Sequence, residues 1–217
     1  MARSASSFSA LPPDRTAFQN GYQPGGTFTA TTGKWVTRST GKPLSDPSGL
    51  GWWSGLCFSG KKGRKIAILT AYRSPRQSPS AGFGFYDQQY ALLLSRRVKK
   101  TNVRKQFITD LISEVNRLQA DGFEIILSLE DANEMNGQEK VDGIDSLISS
   151  CTLHDLHCLT AATPPATYKC GNNRRIDFML GSEAVKDAVR RAAYLSYDNE
   201  SSQSIKGFLL ISILRPC

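Results

Sequence analysis

The stretch FEIILSLEDANEM, residues 123–135, joins an apolar run to a cluster of polar groups. Glu130, Asp131, Asn133 and Glu134 put three carboxyls and an amide at the tip of what reads as a buried strand. Such groups are costly to bury unless water, a metal or a phosphate meets them. Asp131 and Asn133 lie two apart, and in an extended chain their side chains point the same way. A carboxylate there can accept a proton or orient water, and an amide can donate to a phosphoryl oxygen without carrying charge. An Asx turn closing the strand uses the same residue types. RRIDFML, from Arg174 to Leu180, places Asp177 in an otherwise apolar strand, where a carboxylate needs a partner. Arg174 or Arg175 could supply it as a structural ion pair. LTAYRSP places Tyr72 at a strand end, where its hydroxyl could reach a phosphate or sit satisfied in the core.

Other chemistry-bearing groups are more dispersed. CTLHDLHC holds the only two histidines, His154 and His157. Cys151, His154 and Cys158 share a helical face and Cys170 could be a fourth zinc ligand. No Cys-x-x-Cys pair appears, however, and buried cysteines with surface histidines are the expectation. Basic residues gather at Lys61, Lys62, Arg64 and Lys65, at Arg96, Arg97, Lys99, Lys100, Arg104 and Lys105, and at Arg190 and Arg191. These runs solvate a surface or, where two share a face, track a phosphate backbone. Trp52 and Trp53 adjoin; in a strand they face opposite sides, leaving one for the core and one able to stack.

The elements that must position these groups follow from periodicity. Residues 1–25 are Ser-, Pro- and Gly-rich without a period and read as a disordered tail, leaving 26–217 as one incomplete domain. GTFTATTGKWVTRST suggests a hairpin about a Thr-Gly turn, and LGWWSGLCFSG with RKIAILTAY a second hairpin about KKG. A helix is expected from Tyr86 to Val98. A second has Asn102 as N-cap, Gly122 as its stop, and Phe107, Ile108, Leu111, Ile112, Val115 and Leu118 on one face. Phe123 to Leu129 is apolar throughout, as in a strand buried on both faces. A short helix near Asp145–Ser150, a strand in RRIDFMLGS, a helix in EAVKDAVRRA and strands in AAYLSY and KGFLLISIL complete the chain. Strands and helices alternate late but not early, so layered sheets with outer helices fit better than a doubly wound fold.

Composition sets the frame. The 217 residues are 40% hydrophobic and 21% charged, an ordinary globular balance, with a net charge of +8 and a pI near 9.4. That balance favours an anionic partner, nucleic acid first. Five cysteines at irregular spacing are a poor disulfide framework. A reducing interior, cytoplasmic or nuclear, is expected. No apolar window long enough to span a membrane and no secretory h-region occur.

In their order and spacing, LTAYRSP, IILSLEDANE and TYKCGNNRRIDFML resemble the endonuclease/exonuclease/phosphatase superfamily with the DNase I-like fold. That family runs from a strand ending in Ala-Tyr, through Asp-x-Asn, to an Arg-Ile-Asp strand, and closes on Ser-Asp-His before its last strand. YQPGGT and DPSGLGWW resemble its retroelement-type branch, and the likeness covers about residues 22–217. It implies an α+β, four-layer αββα sandwich, here partial, with the first strands missing at a truncated N-terminus. It further implies that Tyr72 and Asn133 contact the scissile phosphate and Asp131 orients water. Asp177 would hold a catalytic histidine, Arg73 and Arg175 would bind substrate, and Mg²⁺ would offset phosphorane charge. The chain departs from the pattern in SSQSIKGFLLISI, where Ser204 and Ile205 stand in place of Asp-His. The metal side of the site, with its Glu, is missing as well. The resulting expectation is a Mg²⁺-dependent phosphodiesterase derived from a retroelement endonuclease and inactive or strongly impaired, acting on DNA or another phosphoester if at all. A non-catalytic, basic nucleic-acid-binding remnant is the alternative. No membrane or protein partner is expected.

Overall fold

The computed structural model describes residues 5–10, 26–41, 43–76, 84–96, 102–134, 142–157, 159, 166–167, 175–194 and 209–213. Its centre is a six-stranded mixed sheet. In chain order the strands of the whole structure are β1 (Ala5–Ala10), β2 (Thr27–Thr32), β3 (Leu44–Ser45), β4 (Trp53–Ser59), β5 (Lys65–Tyr72), β6 (Phe123–Glu130), β7 (His154–Asp155), β8 (Phe178–Gly181), β9 (Val189–Tyr194) and β10 (Leu209–Ile213). The large sheet has the order β3-β4-β5-β6-β8-β7, while β1-β2 and β9-β10 form antiparallel ribbons. Only β5 and β6 within it are parallel, and their register pairs Lys65 with Phe123 and Tyr72 with Glu130. Helices α1 (Phe85–Ser95) and α2 (Val103–Ala120) fill the crossover between them; α3 (Ile144–Ser150) and α4 (Glu183–Ala188) follow.

The pleat sorts the core. Ala67, Leu69, Ala71, Ile125, Leu127, Leu129, Phe178 and Leu180 share one face and pack with Leu93, Phe107, Leu111, Val115 and Leu147 from α1–α3. Ile66, Ile68, Ile126 and Met179 lie on the other face with Leu156, Val185 and Val189. There β2 covers β4 and β5 through a threonine stripe: Thr29 Oγ1 is 3.1 Å from Ser54 Oγ and 3.1 Å from Thr70 Oγ1. Helices on one face and a further β layer on the other give an α+β fold. Both faces being covered, β4 is buried along nearly its whole length.

The local signals for α2 act as expected. Asn102 accepts from Arg104 N and Lys105 N, and Gly122 reverses the chain at φ +82°. The β4–β5 hairpin forms about KKG, with Lys62 and Gly63 in left-handed backbone. Three expectations fail. The TFTATT strand does not pair with the residues after its Thr-Gly turn: Gly33–Arg38 is a 3₁₀ helix, and β2 pairs with β1 instead. The stretch read as a tail therefore contributes a strand at Ala5–Ala10; residues 11–25 lie outside the described residues. Trp52 and Trp53 are both buried, at 0% and 1% exposure, stacked with centroids 6.3 Å apart. Trp52 precedes the strand, so alternation does not govern it, and it packs edge-on against Phe107 beneath α2.

Candidate functional site

Tyr72 ends β5, Asp131 and Asn133 follow β6, and Asp177 immediately precedes β8. Because β5 and β6 are parallel and β8 pairs antiparallel with β6, these four residues meet at one end of three adjacent strands. Strand ends of this kind are where open sheets hold ligands. Tyr72 is half-buried, its ring 5.3 Å from that of Phe85.

The Asp-x-Asn loop is not extended. Asp131 and Asn133 both have φ +53°, a left-handed conformation that Asp and Asn tolerate better than other side chains. The Asn133 amide donates to Arg73 O at 2.7 Å and to Asp131 O at 2.9 Å. Asp131 N donates to Asp177 Oδ1 at 2.6 Å, and Ala132 N to Ile176 O at 2.8 Å. Thr167 Oγ1 accepts from Ile176 N and Asp177 N. Much of the polar chemistry foreseen for a ligand thus ties the loop to itself and to the start of β8.

Three carboxyls crowd this end. Burial is the first cause raising Asp131 and Asp177 above the ordinary aspartate range, and the Asp177 charge adds to the rise of Asp131. Burial and Asp177 raise Glu130 as well. Hydrogen bonds from Asp131 N and Thr167, then the Arg175 charge, partly offset the rise of Asp177. A folded-state pKa raised above its unfolded value contributes stability fully present below the unfolded value and lost as pH rises through the folded one. Asp131→Asn, which removes a charge at constant shape, should therefore raise the melting temperature at pH 7. The gain should disappear as pH falls to about 3.8, the ordinary value. A melting series across pH checks this; an equal gain at both ends would contradict it.

The cations expected to meet substrate are engaged elsewhere. Arg73 is 1% exposed and pairs with Glu134. Arg175 makes a two-pronged contact with Asp155, at 2.6 and 2.8 Å, and lies over the Phe178 ring. Its Nε reaches Asp177 only at the backbone carbonyl, so the ion pair foreseen between these two side chains goes to Asp155 instead. Arg174, Ser204 and Ile205 lie outside the described residues.

The histidines do not behave as a surface pair. His154 Nε2 is 2.5 Å from Glu183 Oε2, whereas His157 is buried and its pKa lowered by burial and by Arg175, against Asp155. Cys57 and Cys151 are buried free thiols, and burial pushes Cys151 up to about 11. Cys158 and Cys170 lie outside the described residues. Asp131 Oδ1 is a buried oxygen with no hydrogen-bond partner among the described residues, a donor a cation could use. Among those residues no three His, Cys, Asp or Glu side chains are grouped to hold an ion.

One assembly escaped sequence reasoning. Glu134 is buried between Arg73 and Arg104 and also accepts from Ile144 N at 3.3 Å. Arg104 donates to Ser74 O at 2.6 Å and Asn133 O at 3.1 Å, and Arg73 to Asp142 O at 2.9 Å. A signal existed: the first turn of α2 carries Arg104 and Lys105 and no acid, against the helix dipole. A cation so placed needs a specific partner.

Among solved structures the chain is similar to the endonuclease domain of TRAS1, a telomere-specific non-LTR retrotransposon. The match covers 96% of this chain and 80% of that one, with TM-score 0.52 and 12% identity. The 3′ phosphatase NExo from Neisseria, bound to product DNA hairpin, matches over 96% and 88%, with TM-score 0.56 and 11% identity. An endonuclease/exonuclease/phosphatase family protein from Bacteroides thetaiotaomicron matches over 96% and 71%, with TM-score 0.56 and 15% identity. The fold is DNase I-like. No protein-family profile matches the sequence, and no curated protein does. No described helix is long and apolar enough to cross a membrane.

Proposed function

We propose that this chain is a phosphodiesterase-type protein of DNase I-like fold whose catalysis is lost or strongly impaired. One observation carries the reading. The groups expected to act on a phosphate are held by one another, with the Asn133 amide on Arg73 O and Asp131 O and the Asp177 carboxylate on Asp131 N. An amide engaged twice has no N–H left to follow a developing charge, and catalysis depends on donors preorganised toward that charge. Ser204 and Ile205, at the positions of the family's Asp-His pair, support the same conclusion, since losing general acid–base function costs about 10²- to 10⁴-fold. The retroelement-type origin rests on YQPGGT and DPSGLGWW, and the fold likeness to a retrotransposon endonuclease accords with it. The test is nicking of supercoiled plasmid with Mg²⁺, using Asp131→Ala as control. Equal, background-level nicking is expected; faster nicking by the unaltered protein would overturn the proposal.

The net charge of +8 favours a second reading, a non-catalytic nucleic-acid-binding remnant. Gel retardation across a salt series tests it, and no retardation at low salt would exclude it.

A further inference from the structure

We propose that the pole of the sheet opposite Tyr72, Asp131 and Asp177 is a binding surface for single-stranded nucleic acid, built by Trp35 and the cations around it. The inference rests on the nucleic-acid-binding reading and on no catalysis. β5 runs from Lys65 to Tyr72, so the β4–β5 turn lies about 23 Å from the candidate site at ~3.3 Å per residue. Lys61, Lys62, Arg64 and Lys65 are all exposed on that turn. The 3₁₀ helix Gly33–Arg38 reaches the same end. Trp35 packs edge-to-face with Phe58 at 5.9 Å, Ser39 bridges to Phe58, and Thr40 N donates to Cys57 O at 2.8 Å. Lys34 and Arg38 join the four turn cations there.

Charge is not balanced locally. Among the described residues none of these six cations forms an ion pair. The only acid between residues 26 and 76 is Asp46, which is buried and accepts from Ser48 N, Leu50 N and Trp52 N. Lys65 Nζ reaches the end of α2 at Asp121 O, but the nearby carboxylates Glu114 and Asp121 are both held by Arg117, at 2.8 and 2.9 Å. Lys65 with Arg117 balances Glu114 and Asp121, and the other five cations, without an ion pair among the described residues, give the field a polyanion follows.

The aromatic group selects the polyanion. Trp35 is 43% exposed, and its ring is propped by Phe58 with the Arg38 guanidinium 5.7 Å from its centroid. A fixed ring among cations is the arrangement on which unpaired bases stack while the backbone follows the charges. A duplex hides its base faces from such a ring. A membrane surface would ask for a wider apolar face. Among the described residues the other exposed large apolar side chains, Phe28, Tyr90, Leu94 and Leu159, belong to β2, α1 and the segment after β7.

The experiment is fluorescence anisotropy with a labelled oligo-dT. If about four phosphates are contacted, affinity should fall ~50-fold between about 50 and 200 mM salt, from a slope near −0.7 per contact on single strands. Lys61→Glu with Arg64→Glu should weaken binding at least tenfold and flatten the slope. Trp35→Ala should weaken it with the slope retained, and Trp35→Phe should recover part of the loss, which a folding defect alone would not produce. If Tyr72→Phe weakens binding and the turn variants do not, the strand exchanges contacts at the strand ends; the nucleic-acid reading then stands and this location fails. Binding to phosphatidylserine–phosphatidylcholine vesicles or to duplex DNA but not to oligo-dT would overturn the proposal, and binding to neither oligo-dT nor duplex DNA at low salt would overturn both.

Discussion

Glu134→Ala should destabilise the fold by about 3–5 kcal/mol, the cost of breaking a buried ion pair by removing one partner. The residue is 2% exposed and its carboxylate lies between two buried guanidiniums, Arg73 and Arg104. Alanine would remove the buried carboxylate that both guanidiniums contact and the acceptor that Ile144 N uses. Because Glu134 joins the ends of β5 and β6 to the starts of α2 and α3, the damage reaches four segments. Against a typical total of about 5–15 kcal/mol this is roughly a fifth or more of the stability. Urea titration reads it as a lower midpoint at unchanged slope. A loss below about 1 kcal/mol would mean that water already reaches the cluster.

Trp52→Ala is expected to cost about 3–5 kcal/mol by a different route, an emptied core. The indole is fully buried, stacked on Trp53 and edge-on to Phe107, so both rings lose a packing partner at once. The same residue steadies Tyr72, whose N–H donates to Trp52 O at 3.0 Å. Trp52 Nε1 has no hydrogen-bond partner among the described residues, so Trp52→Phe loses packing but no such bond. That variant should lose roughly half as much or less. Calorimetric melting of the pair checks the difference, and equal losses would place the importance of the indole in a polar contact.

Local rules made part of this molecule legible. Asn102 and Gly122 bound α2 because a cap and a left-handed stop act within a few residues. The β4–β5 hairpin and the apolar run of β6 were readable for the same reason. β1 was not: ASSFSA has no apolar face, and it is a strand only because β2 offers an antiparallel partner. At the site, the sequence placed Tyr72, Asp131 and Asn133 at strand ends but Asp177 within a strand; Asp177 instead precedes β8, and the strand pairing brings the four together. What spacing could not reveal was where their hydrogen bonds go. Arg73 and Glu134 lie 61 positions apart and Arg175 and Asp155 20 apart, and charged residues so separated read as surface until the chain is folded.

The ends of the six-stranded sheet order have a consequence for solubility. A strand as long as β4 or β8 left unpaired at its flank would offer a ladder of free amides and carbonyls on which a second molecule could zip. Instead β3 and β7, two residues each, close the two flanks, and a stub that short gives a foreign strand almost no length to pair with. The sheet is thus capped against growth into a cross-molecular ribbon by segments too small to fold alone.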